Sequence, residues 1–183
     1  ALIAWHHAVG STFDVRVQSL GVFGNELFPH DGVVASLEAN RQEFDPTLAF
    51  DAATGEVNVF YGVRNLAQSQ WGVSGQRLSP TGARLWGDSG VVLTPVDGVA
   101  ESAPRCVAYG GGAMVFAFDQ PNTPLLDARV LAWRVDESGA LVWGAAPTVL
   151  CSALSWKDDL EVGVDAAGIA VAVWEDERAD AGD

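Results

Sequence analysis

The chain has 183 residues, 49% of them hydrophobic and 19% charged, with a formal net charge of −14 and one lysine, Lys157. This is enough apolar material for an ordered core. The acidity excludes the basic footprint of a nucleic-acid binder and opposes docking on anionic membranes. No run of 18 apolar residues occurs, so no transmembrane helix is expected.

Read in order, the chain repeats about every 57 residues. Ala1-Leu2-Ile3-Ala4-Trp5 already lies inside a repeat, with no initiator Met or signal peptide, so a mature or excised piece of a longer chain is expected. Gly24, Gly82 and Gly139 are 58 and 57 residues apart, and each precedes by four an aromatic: Phe28, Trp86 and Trp143. Leu20, Leu78 and Val135 keep the same spacings. A second aromatic series, Trp5, Tyr61, Phe118 and Trp174, is spaced by 56, 57 and 56. Such a period with strand-like content predicts an array of small antiparallel sheets.

Within one copy the strands and turns alternate. Pro46 to Asp51, Val57 to Tyr61 and Val73 to Leu78 read as strands, with a turn at Ala52 to Gly55, a hairpin at Ser79-Pro80-Thr81-Gly82, and a fourth strand opening at Ala83 to Trp86. In the next copy Pro104 to Tyr109, Ala113 to Phe118 and Ala128 to Val135 are strands, and Ala140 to Trp143 begins a fourth that continues at Thr148 to Leu150. Gly110 to Gly112 is a turn and Asp119 to Leu126 a longer loop. Val162 to Asp165, Ala166 to Gly168 and Ile169 to Trp174 give strand, turn, strand again. The expected fold is all-β: a β-propeller-like array of four-stranded antiparallel blades, about three blades present, as part of a larger propeller. The whole of 1–183 is one propeller segment, with repeats at about 1–45 (partial), 46–103, 104–159 and 160–183 (partial).

The repeat aromatics are expected to pack between neighbouring blades, since one such ring buries ~150–250 Å². Trp71, Trp133 and Trp156 break the pattern and are the expected exposed, ligand-stacking aromatics. Cys106 falls where another copy has Leu48 and reads as a small buried hydrophobe; whether it is bonded to Cys151 stays open.

Gln76-Arg77-Leu78, Gly82-Ala83-Arg84-Leu85-Trp86 and Val173-Trp174-Glu175-Asp176-Glu177-Arg178 together resemble the propeller-type repeats of large secreted or surface bacterial proteins. Those carry a Trp-x-Asp-x-Arg loop, a Gln-Arg-Leu strand and a Gly-x-x-x-Trp turn. Only Trp174 to Arg178 matches the loop fully; Trp5-His6-His7, Tyr61-Gly62-Val63-Arg64 and Phe118-Asp119-Gln120 depart from it. The resemblance implies an extracellular, non-catalytic repeat module.

Candidate chemistry is sparse. His6 and His7 point to opposite faces if they lie on a strand, and His30-Asp31 is a further candidate partner for a metal. Asp176, Asp180 and Asp183 are the calcium candidates in an acidic terminus, although no EF-hand loop is present. Asp51, Asp119 and Asp165 would converge in a closed ring if the module were a glycosidase, which needs two carboxylates ~5–10 Å apart. Asp51 and Asp165, however, precede Ala-Ala in turns, where Asp bonds its own backbone. No Gly-x-Ser-x-Gly, His-Glu-x-x-His or phosphate loop occurs. The sequence therefore reads as a non-enzymatic extracellular or cell-surface scaffold or protein-interaction module, needing no cofactor. Its partners are the remainder of a longer chain or other subunits. The alternative is a carbohydrate-binding propeller, a lectin or the substrate-holding part of a glycan-active enzyme.

Overall fold

The computed structural model describes residues 1–121, 127–165 and 167–178. The chain is all-β, built as antiparallel sheets that pack in succession. The first sheet holds β1 (Leu2–Val9), β2 (Thr12–Ser19) and β3 (Val33–Val34) in that order. The second holds β4 (Arg41–Asp51), β5 (Glu56–Asn65), β6 (Trp71–Leu78) and β7 (Val91–Asp97). The third runs β8 (Ala100–Tyr109), β9 (Gly112–Gln120), β10 (Asp127–Val135), β11 (Thr148–Val164) and β12 (Ala170–Glu177). β11 pairs with β10 over Thr148 to Trp156 and then with β12 over Trp156 to Val164, so one strand joins the third sheet to a final hairpin.

Strand alternation builds the cores. In β5, Val57, Val59, Tyr61 and Val63 meet Val15, Val17 and Phe28 of the first sheet. Phe60, on the opposite face, joins Ala113, Val115, Ala117, Leu131 and Trp133 of the third. β9 is apolar on both faces because it too is covered twice: Met114, Phe116 and Phe118 pack towards Leu160, Ala172 and Trp174 of the final hairpin. Cys106 is buried in the middle core, as its match to Leu48 predicted, and burial pushes its thiol up to about 12. Cys106 and Cys151 are both free thiols.

The first strand of three successive repeats, β4, β8 and β11, carries a bulge. Asp45, Ala103 and Asp159 all have φ of +50°, and the ladder register shifts at each one. Two of the three precede proline, Pro46 and Pro104, which cannot donate to a ladder and is tolerated at a bulge.

Four expectations need correction. Phe118 does not belong to the Trp5, Tyr61 and Trp174 series. Ladder pairing places Ala117 opposite Leu131 as Tyr61 stands opposite Ser74 and Trp5 opposite Arg16, so Phe118 is one residue out of register and faces the following hairpin. Trp133, expected exposed, is 1% exposed and fills the middle core. The stretches Ala83 to Trp86 and Ala140 to Trp143 are not strands. Each makes a single bridge (Leu78 with Arg84, Val135 with Leu141) and bends before the outer strand begins. Trp143, expected to pack between sheets, is 48% exposed.

Phe28 and Trp86 do pack between sheets, each on the turn glycine of the next. A Cβ on Gly82 would lie 3.1 Å from Cγ of Phe28, and one on Gly139 3.2 Å from Cγ of Trp86. Both glycines have positive φ, +85° and +88°, so backbone geometry and ring contact demand glycine together. Gln18 and Gln76 hold these aromatic loops. Oε1 of Gln76 accepts the N–H groups of Arg77 (3.0 Å) and Trp86 (2.9 Å), while its amide donates to the Gly87 carbonyl at 2.7 Å. Gln18 does the same for Ser19, Phe28 and Pro29. In the third repeat Trp133 stands in place of the glutamine, and Trp143 has no such clamp.

Candidate functional site

The sheets have two unlike ends. One carries the β4–β5 and β8–β9 turns and the connections after β6 and β10, and is tightly tied. Arg77, buried, binds Glu56 and Asp51 and donates to the Gly111 carbonyl of the next sheet. Oδ1 of Asp51 accepts the Ala53 N–H at 3.0 Å, and Oδ1 of Asp165 accepts those of Ala167 and Ile169, as expected of turn aspartates. The other end carries the connections after β5 and β9, and charged and aromatic groups gather there. Asp119 lies at that end, so Asp51, Asp119 and Asp165 do not converge.

Each first strand places a buried charged residue at this end, two positions before its bulge: Glu43, Glu101 and Lys157, spaced by 58 and 56. Glu43 accepts the Val15 N–H at 2.9 Å, and burial pushes its carboxyl up to about 7. Glu101 stands across the ladder from Asp119. Burial, reinforced by the charge of Asp97, pushes the Glu101 carboxyl up to about 8, while Asp119 pairs with Arg129. A Glu101 that keeps its proton at neutral pH avoids a like-charge conflict with its neighbours. Thr94 is hydrogen-bonded to Glu101 and accepts the Val73 N–H at 2.8 Å. One oxygen of each carboxyl, Glu101 Oε2 and Asp119 Oδ1, is buried without a partner.

Lys157 occupies the same place with opposite charge. Its ammonium donates to the Ala153 carbonyl at 2.9 Å, and lies 3.4 Å from Asp176, which stands opposite it on β12. Asp176 also accepts the Ser155 hydroxyl at 2.5 Å and pairs with Arg178 at 2.9 Å. The Ser155 hydrogen bond, with the two cations, holds Asp176 down to about 2. Asp176 is therefore committed to protein cations and is not an open calcium ligand; Asp180 and Asp183 lie outside the described residues. Among the described residues no group of three or more His, Cys, Asp or Glu side chains is arranged to hold a metal ion.

Two of the three expected ligand tryptophans, Trp71 and Trp156, stand at this end, and they are partly buried rather than exposed. Trp71 opens β6 between Arg64 on β5 and Asp97 on β7. Trp156 lies between Asp127 on β10 and Glu177 on β12. Sequence reasoning missed Glu43, Glu101, Asp97 and Arg129. The common spacing of Glu43, Glu101 and Lys157 was the available signal, hidden because the three residues differ in charge.

His6 and His7 do point to opposite faces of β1. His6 meets the rings of Phe13 and Phe44 edge-on, at centroid distances of 5.7 and 5.8 Å. His7 joins Trp5, Arg16 and Asp31 around a polar cleft of about 270 Å³ on the outer face of the first sheet. His30 binds Glu26 at 2.9 Å, which raises its pKa, with the Asp31 charge adding to the effect. A second, apolar groove of about 470 Å³ runs along Ala1, Leu20, Val22, Leu27 and Phe50.

No family model matches the chain, and no curated protein matches it. Among solved structures it is similar to a GH43 endo-arabinanase from Bacillus licheniformis, with a TM-score of 0.43 and 18% identity over 98% of this chain and 70% of that one.

Proposed function

We propose that the chain is a β-propeller-like array of antiparallel blades that binds carbohydrate at the end of its sheets where β6 and β10 begin. The carrying observation is the placement of Trp71 and Trp156: only partly buried, at the same end, each flanked across the ladder by charged side chains. An aromatic face takes the apolar side of a sugar ring, and neighbouring carboxylates and guanidinium groups bond its hydroxyls. The module binds without hydrolysis. Glu101 and Asp119 are a close acid pair, but both are buried and engaged by Thr94 and Arg129 within the protein. An extracellular or cell-surface location, with glycans as partners, belongs to the same reading.

A glycan array with the intact chain and its Trp71→Ala and Trp156→Ala variants tests this. Retention of an oligosaccharide that each substitution weakens about tenfold or more supports the reading. Absence of binding by the intact chain, or binding indifferent to both substitutions, removes it. A second reading, a scaffold that holds protein partners, is favoured by one observation: the outer edge of β12 carries no neighbouring strand among the described residues.

A further inference from the structure

The repeat itself says what that edge fits. β5 and β9 are second strands of their repeats, and each is paired on both sides, by β4 and β6 and by β8 and β10. β12 is their counterpart. Trp174 matches Tyr61 in register, and Ala170 matches Val57. Among the described residues β12 pairs with β11 on one side only. Beside it, Ile169, Val171 and Val173 are exposed, whereas the residues alternating with them are packed on the third sheet.

Trp143 supplies a second, separate observation. Phe28 and Trp86 each sit on the turn glycine that follows the third strand of the next sheet, and the Trp86 indole donates to the Glu137 carbonyl of that turn at 3.0 Å. Trp143 has the same place in its repeat and is exposed. The unpaired edge and the unseated ring lack the same object: a third strand ending in a glycine turn.

We propose that the β12 edge and Trp143 together form a docking site for an antiparallel segment of this same repeat, a third strand, its glycine turn and the strand after it. Binding is strand addition, with main-chain hydrogen bonds along β12 and Trp143 as the side-chain anchor. Register follows from the internal ladders. Tyr61 faces Ser74 and Val57 faces Leu78 in the second sheet, so Trp174 faces the Ser74 position of the incoming strand and Ala170 its Leu78 position. Trp143 then rests on the glycine four residues beyond that leucine. This goes beyond the carbohydrate reading and uses other residues, so either survives loss of the other.

The probe is a synthetic peptide of residues 71–97, which carries β6, Gly82 and β7. Titrated into the intact chain, it is expected to bind and to slow hydrogen exchange at alternate amides of β12. Trp143→Ala, a change at an exposed position, weakens binding about thirtyfold or more, as loss of an anchor residue does. A Gly82→Val peptide weakens it comparably, because valine disfavours that φ and meets the ring. A second arm appends residues 71–97 after residue 183 through a flexible Gly/Ser linker, which raises the effective concentration of the segment. This fusion is expected to protect β12 and bury Trp143. Failure of both arms to protect β12, or binding indifferent to Trp143 and Gly82, overturns the proposal. Self-association of the unmodified chain that protects β12 while releasing β1 assigns the edge to a second copy, and overturns it too.

Discussion

Glu101 with Asp119 and Lys157 with Asp176 occupy the same place in successive repeats and solve it with opposite chemistry. Both first members are buried and stand two residues before a positive-φ bulge, facing the second strand. Lys157 and Asp176 complement each other, and Ser155 and Arg178 complete the set. Glu101 faces a carboxylate, and burial keeps its proton on. The repeat therefore conserves a position and a degree of burial, not a charge. The ion pair matches its charges and the acid pair does not, while each leaves buried oxygen without a hydrogen bond: Asp176 Oδ2 in one, Glu101 Oε2 and Asp119 Oδ1 in the other.

The comparison breaks most sharply at neutral pH. Lys157→Met leaves Asp176 short of its buried cation and is expected to cost about 3 kcal/mol in urea unfolding. Glu101→Gln replaces a protonated carboxyl by a neutral group of the same shape and is expected to cost less than about 1 kcal/mol. Equal costs would mean that the two places are not equivalent.

The pH responses come next. The Glu101 carboxyl is raised from 4.5 to about 8, so the folded chain holds this proton more tightly. Its stabilisation is complete below about pH 4.5 and declines until the pH passes about 8. Stability is expected to fall over that window by more than about 1.4 kcal/mol, the equivalent of one pKa unit. Glu101→Gln makes the fall shallower, and Glu43, raised to about 7, supplies the remainder. Asp176 runs the other way. Its carboxyl is lowered from 3.8 to about 2, so its contribution is complete above about pH 3.8 and is lost as the pH falls through about 2. Acid titration of Asp176→Asn, followed by circular dichroism, is expected to lack that part of the acid-side loss.

The smallest effect on stability belongs to Trp71→Ala, less than about 1 kcal/mol, because the residue is only partly buried and belongs to none of the three cores. A large loss there would make Trp71 a packing residue and weaken its assignment to ligand.

Much of the architecture was legible in the sequence. Alternating apolar runs separated by glycine turns marked β5, β6, β9, β10 and β12, and Gly82 and Gly139 marked the turns that receive an aromatic. What misled was spacing read without pairing. Phe118 fits the 57-residue ruler, but the side-chain period of a strand is two, so one residue of drift puts it on the other face. Trp133 broke the pattern because a glutamine clamp was replaced by a core residue, not because a ligand platform was added. The bulges at Asp45, Ala103 and Asp159 were the least visible, since only Pro46 and Pro104 hint at them. Of the candidate site, Trp71 and Trp156 were named from the sequence but are less exposed than expected; the buried acids around Glu101 were not named, because burial of a carboxylate depends on tertiary contacts that no local pattern carries.

The continuity of β11 has a consequence for how the molecule comes apart. Residues 35–40 link the first two sheets, and Gly98 and Val99 the second and third, outside any strand. Between the third sheet and the final hairpin there is no linker, only seventeen residues of strand bonded first to β10 and then to β12. A protease needs a locally extended, unpaired segment to cut. It finds one before Arg41, whereas from Thr148 to Val164 the strand is left unpaired only at its irregularities, Ser152 to Leu154 and Asp159 to Leu160, so the hairpin is expected to stay with β10.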